Sequence, residues 1–335
     1  LANVSATGTG ADINIRGYGL SVAADGNQWR ANDRLALSTY GDIGGASRHA
    51  TLGAQQLAVA STTGALFLDL LGGIGQGSLV SAGAQMLKTL GNLTLTEVHS
   101  TAAGVTLQGT GDVRVDTMAA RDDLTLAGDS LALGSASSSH GDLSATLVNR
   151  FSADTLNALG DWTLTAASAD VGLATIGGNV QQTLTGTLDM TDLVAGGNWS
   201  LNGAQSTIGT TDIGGAVSMT QSGLLTLGTL TGDSSWTLNG TSAKVTTATL
   251  AGQVNTTLSG DLDLGTLTGQ QGWMLDAANA TIARAELTGN VQQTLDDTLD
   301  MTDLVAGGSW TLDGAQSTIG SADIGGAVSM TQSGL

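Results

Sequence analysis

Five of the six tryptophans, Trp162, Trp199, Trp236, Trp273 and Trp310, fall at intervals of 37 residues, and no insertion or deletion disturbs the interval. A fixed period of this size is what repeat architectures leave in a sequence, because each repeat is one supersecondary unit stacked on its neighbours. Frames of 37 residues begin at His140, Gly177, Gly214, Ala251, Thr288 and, truncated, Gly325. Residues 179–224 match residues 290–335 at 39 of 46 positions, at an offset of 111, which is three frames. That match is the mark of block duplication.

Within a frame the apolar positions keep their phase. Val180, Leu188, Met190, Leu193, Trp199, Leu201, Ile208 and Ile213 return as Val217, Leu225, Leu227, Leu230, Trp236, Leu238, Val245 and Leu250, while the polar residues between them drift. Gly-Gly-Asn precedes both Val180 and Trp199, so 37 divides into 19 and 18, two coils per frame. Leu188-Asp-Met190 and Trp199-Ser-Leu201 alternate with period two, the pattern of a strand with one buried face. Such strands, three or four residues long and separated by Gly, Asn, Asp, Ser and Thr, do not fit hairpins with tight two-residue turns. They predict parallel pairing with a counterpart one coil away. The expected fold is all-β, a right-handed parallel β-helix (a solenoid) of about 18–20 residues per coil, with three short sheets per turn and a 37-residue double-coil repeat. Stacking then predicts a structural core column in which Val180, Trp199, Val217, Trp236, Val254, Trp273, Val291 and Trp310 alternate small and large, with Trp162 in the same role.

Residues 1–139 follow the same logic less strictly and are expected to form irregular coils of the same β-helix, with the regular repeats occupying 140–335. Their rungs are Gly91-Asn-Leu-Thr-Leu95, Gly111-Asp-Val-Arg-Val115 and Asp122-Asp-Leu-Thr-Leu126, preceded by Ile13–Ile15, Leu35–Leu37 and Leu57–Val59. Spacings near 10 and near 20 mix here, so coil boundaries stay open.

Composition narrows the function classes. There are 50 Gly, no Pro and no Cys, which suits a sheet in which nearly every N–H donates and removes disulfides and thiolate metal sites from consideration. Ten Lys plus Arg stand against 29 Asp plus Glu, a net charge of −19, so nucleic acid and anionic membrane surfaces are poor electrostatic partners and no nucleic acid partner is expected. The most apolar stretch, Gly64 to Ile74, is far shorter than a membrane span, and no membrane insertion is expected. The chain opens at Leu1 without Met and stops in mid-pattern, which predicts a fragment.

Gly91-Asn-Leu-Thr-Leu95, Asp122-Asp-Leu-Thr-Leu126 and the Gly196-Gly-Asn-Trp-Ser-Leu-Asn-Gly-Ala204 run resemble the repeats of filamentous haemagglutinin-like exoproteins, the passengers of two-partner secretion. The resemblance covers essentially the whole chain. It implies a rigid extended shaft of a large secreted bacterial surface adhesin, acting in cell–cell, host-cell or biofilm-matrix attachment and in virulence. It equally implies the alternative of a contact-dependent growth inhibition stalk that presents a toxin. It further implies an outer-membrane transporter as export partner, a cell-surface or extracellular-matrix location, and a host-cell or matrix receptor, glycan or protein.

Chemistry-bearing residues are sparse. Asp189 and Asp192, with copies Asp300 and Asp303, offer oxygens to a surface calcium ion, against the plainer reading of solvated edge residues; no other cofactor is expected. His49, His99 and His140 are scattered, without ligand spacing, and read as surface residues. Ser and Thr abound without a base partner, so an esterase-like triad is not expected. A polysaccharide lyase or glycosidase needs clustered carboxylates in a loop-walled cleft, which 37-residue units leave no room to build, so no enzyme is expected. Arg16, Arg30, Arg34 and Arg48 concentrate in the first fifth beside Tyr18, Trp29 and Tyr40. Of these, Arg16, Tyr18, Trp29, Arg30 and Arg34 are candidate glycan contacts in a polysaccharide-binding reading, through stacking and bidentate hydrogen bonds.

Overall fold

The structure, a computed structural model, describes residues 3–21 and 28–333. Gly334 and Leu335, the last residues of the duplicated block, lie outside them. Among the described residues there is no helix, and strand after strand pairs in parallel with its counterpart one coil on, which makes the fold a β-solenoid. The chain divides into two compact units, Leu1–Gly172 and Leu173–Leu335.

In the second unit each coil supplies a five-residue strand and a nine-residue strand, as in Val180–Leu184 and Thr187–Ala195. In two coils they run together, as Val217–Gly232 and Trp236–Leu250. The ladder of the long strand passes over its middle residue: Met190 faces Ile208 and Asp192 faces Thr210, with Thr191 and Gly209 left out. One coil therefore carries three paired runs, two of them in one bent strand. A Cβ on Gly209 would stand 2.4 Å from the Thr191 carbonyl oxygen, so this bend needs glycine for close approach of backbones.

The interior columns explain why the repeat is 37 and not 18.5. Val180, Trp199, Val217, Trp236, Val254, Trp273, Val291 and Trp310 stack in register. A second column runs Leu188, Ser206, Leu225, Ala243, Leu262, Ala280, Leu299, and a third Leu193, Thr211, Leu230, Ala248, Leu267, Ala285, Leu304. Both are large where the first is small. A fourth, Ala195, Ile213, Gly232, Leu250, Gly269, Leu287, Ala306, follows the tryptophans in phase. Each Trp coil thus gives back at two columns the volume its indole takes, and the Val coil does the reverse. Such complementary columns are what close packing favours. The fit is tight: a Cβ on Gly269 would lie 2.6 Å from Leu287 Cδ2.

The first unit has the same parallel ladders but not this alternation. Leu68, Leu87, Leu107 and Leu126 succeed one another in one column, and Leu93, Val113, Leu131 and Phe151 in another. Its coils vary in length. Ile13 pairs with Leu35 and Leu35 with Leu57, steps of 22, longer than the 18–20 expected; later steps are 20 from Leu93 to Val113 and 18 from Val113 to Leu131. The register also separates rungs that look alike in sequence. Leu93 and Val113 stack on each other, whereas Leu124 joins the opposite sheet between Val105 and Leu143.

Corners in both units are tied by short polar side chains. The Oδ1 atoms of Asp123, Asp142, Asn179, Asn198 and Asn290 accept from the backbone N–H of Asp142, Asp161, Asn198, Ala216 and Ser309, one coil on, at 2.8–2.9 Å. This is why Asp or Asn so often precedes the first aliphatic residue of a short strand: it satisfies a donor the sheet cannot reach. Among the described residues, glycines with left-handed φ, such as Gly91 at 97° and Gly111 at 84°, all lie before residue 129. The second-unit corner glycines instead make room for the neighbouring coil, since a Cβ on Gly196 would stand 2.4 Å from the Gly177 carbonyl oxygen.

Candidate functional site

The tryptophans of the column are interior. Trp162, Trp199, Trp236, Trp273 and Trp310 are all within 2% of complete burial, and Val180, Val217, Val254 and Val291 are buried between them. The indole N–H is served by the residue 17 positions earlier, the middle of the preceding short strand. Trp199 and Trp310 donate to Gln182 and Gln293 Oε1 at 3.0 Å, and Trp273 to Thr256 Oγ1 at 3.4 Å. Ala145 and Met219 stand at the same place beneath Trp162 and Trp236, whose Nε1 atoms have no partner. These residues hold the stack together and reach no solvent.

The five candidate glycan contacts do not form one site. Trp29 is a correction: it is buried in the strand Gln28–Ala31, where the period of two sends it inward between Val4 and Leu52 and sends Arg30 outward. Arg30 lies on that short-strand sheet beside Gly53. Arg34 opens the strand Arg34–Thr39 and pairs with Gln56, whereas Arg16 pairs with Ser38 near the other end of that strand. What the fold does assemble is Arg16, Tyr18 and Tyr40, with Ser38, Thr39 and Thr62, around an open depression of about 800 Å³. Tyr18 is 86% exposed and Tyr40 57%, with ring centroids 6.0 Å apart at 62°, edge to face. They meet because Gly17 pairs with Thr39 and the next residues are these two, Tyr40 N–H donating to the Gly17 carbonyl at 3.0 Å. The signal was present in the sequence as a spacing of 22, the local coil length. Ser38 and Thr62 carried no signal.

Elsewhere several charged side chains are paired, across coils or along one strand. Arg150 meets Asp170 at 2.9 Å, Lys244 meets Asp263 at 2.8 Å, and Arg284 meets Glu286 at 2.9 Å and Asp303 at 3.4 Å. The Asp263 carboxylate, by hydrogen bond and charge, raises the Lys244 ammonium above the ordinary lysine value, against a small desolvation in the other direction. Of the calcium candidates, Asp303 is engaged by Arg284 and by Ser321 Oγ at 2.6 Å, while Asp189 and Asp192 flank the bend at Thr191 with Asp300 in the position equivalent to Asp189. No group of three or more His, Cys, Asp or Glu arranged for a metal occurs among the described residues. His49, expected on the surface, is largely buried: its Nδ1 contacts Asp69 Oδ1 at 2.9 Å and its ring leans on Phe67.

Two further grooves follow the strands, about 620 Å³ between residues 73 and 152 and about 470 Å³ between residues 231 and 307. The first includes Arg114 and Arg150, each already paired with an aspartate. The second has Leu250 and Leu287 over Gly232 and Gly269 as its floor. Comparison with protein-family models, with curated proteins and with solved structures finds no match to this chain.

Proposed function

We propose that this chain is the repetitive shaft of a large secreted bacterial surface adhesin, exported through an outer-membrane transporter, that carries attachment to cells or matrix. One observation supports this reading above the others. The second unit keeps one register through coils of alternating 18 and 19 residues, as from Leu193 to Thr211 to Leu230, and its sequence was extended by copying three double coils together. Stability in such a stack is close to a sum of coil and interface terms, so length is a free variable. Length is what a shaft is selected for, and a catalyst gains nothing from it. The repeats resembling filamentous haemagglutinin-like exoproteins supply the biological setting. The same resemblance accommodates a toxin-presenting stalk, in which the shaft works identically.

The test is to add one, two and three 37-residue units to a surface-anchored chain bearing an epitope at its far end. The epitope height is then measured by super-resolution or force microscopy. A shaft predicts equal steps of about 10 Å per unit, two rungs at the strand spacing. Steps that are absent or irregular sink the proposal.

A further inference from the structure

We propose that the Tyr18–Tyr40 corner of the first unit binds a carboxylate-bearing sugar, the rings taking its C–H face and Arg16 its carboxylate. This goes beyond the shaft reading and does not rest on it. The described tryptophans and Phe151 are buried, whereas these two tyrosines are the large aromatic side chains that stand open to solvent. Their edge-to-face contact holds the planes at 62°, so the pair forms an angled seat for a pyranose face.

Charge selects the kind of sugar. The whole chain carries −19, yet among the described residues the depression is lined by one cation, Arg16, and by no carboxylate. Arg16 is exposed and makes no ion pair among the described residues, unlike Arg114, Arg150 and Arg284. A planar fork of N–H donors matches a carboxylate in bidentate fashion. Asp42, two residues beyond Tyr40, is occupied in holding the Ala65 N–H at 2.7 Å. Ser38 and Thr62 add hydroxyls that donate to or accept from ring oxygens and hydroxyls of a sugar. A neutral sugar would offer Arg16 only hydroxyl and ether oxygens, weaker acceptors than a carboxylate. An acidic one uses every group present.

The experiment titrates the purified chain with tetragalacturonate and with its methyl ester, a neutral isostere, following heat and tyrosine fluorescence. Saturable binding of the acid is expected, with the ester at least about tenfold weaker, as loss of a charge-assisted bidentate contact implies. Arg16→Gln should remove the preference for acid over ester, Arg16→Lys should restore part of it, and Tyr18→Ala and Tyr40→Ala should each weaken both ligands. Because these side chains are exposed, unchanged thermal unfolding verifies that the variants are folded. Failure of the chain to saturate at millimolar acid, equal affinity for acid and ester, or variants indistinguishable from the parent would each overturn the proposal. The epitope-height experiment reads a different property, so either conclusion can fail alone.

Discussion

The two units solve the same corner in different ways. In the first, the innermost residue at the end of the long strand is mostly a hydroxyl: Thr39, Ser61, Ser81, Ser100, Ala120 and Ser138 stack in one column. Ser61 donates to the Gly41 carbonyl, Ser81 and Ser100 to that of Gly83, and Ser138 to that of Asp122, at 2.7–2.8 Å. In the second unit the corresponding column is apolar, Ala195, Ile213, Gly232, Leu250 and onward, and its fit depends on alternating sizes. Three of these four bonds reach a backbone carbonyl of the preceding coil, an acceptor that every corner offers whatever its length, and the first unit has steps of 18, 20 and 22. Apolar interlocking has no such freedom, because every coil must present the complement of the one beneath it. A stack of the second kind can grow only by whole pairs of coils, which is how it did grow.

The comparison breaks most sharply if one coil is removed from the second unit. Deleting Trp236–Gln253, a single Trp coil, would set Leu225 on Leu262 and Gly232 on Gly269, crowding some columns and emptying another. The unfolding midpoint in denaturant should then fall far more than after deletion of residues 214–250, a complete pair; equal losses would dismiss the interlocking account. Next in size, Trp236→Ala should cost about 3–5 kcal/mol of stability in chemical denaturation, the range for emptying a packed aromatic site. A smaller effect is expected at the partner column. Gly269→Ala should cost about 1–3 kcal/mol through the contact with Leu287, and Leu287→Val should recover part of it in a double-mutant cycle; additive losses would mean that the two residues do not interlock. Ser100→Ala in the first unit should cost about 0.5–1.5 kcal/mol, the worth of one hydrogen bond, with the register of neighbouring amides unchanged by hydrogen exchange.

The smallest effect is electrostatic. Lys244 has a folded value raised by Asp263, so its contribution to stability is complete below the ordinary lysine value and is lost as the pH rises through the raised one. Melting curves taken from the ordinary lysine range upward should show this alkaline loss in the parent and not in Asp263→Asn. An identical slope in both would mean the pair is open in solution.

Much of this was legible before any coordinates. The 37-residue tryptophan period, the division into 19 and 18, and the pairing of Trp199 with Val180 and Val217 follow from spacing and alternation, because a strict repeat makes every residue's neighbour the residue one coil away. The first unit was less readable because similar Leu-Thr-Leu rungs serve both sheets, Leu93–Leu95 in one and Leu124–Leu126 in the other. Trp29 misleads through its company: four arginines and two tyrosines near it suggest a surface, while its own alternation with Gln28 and Arg30 sends it inward.

By itself, the sequence determined, for the regular repeats, which residues face inward, that parallel coils stack, and how far apart equivalent positions lie, since a period of two and a period of 37 are properties of the chain alone. Only the tertiary structure decided which sheet a rung joins, why two coils rather than one make the repeat, and that Tyr18 and Tyr40 share a corner with Arg16. The reason is physical: alternation specifies a face, but register and volume are set between coils, and no single coil carries that information.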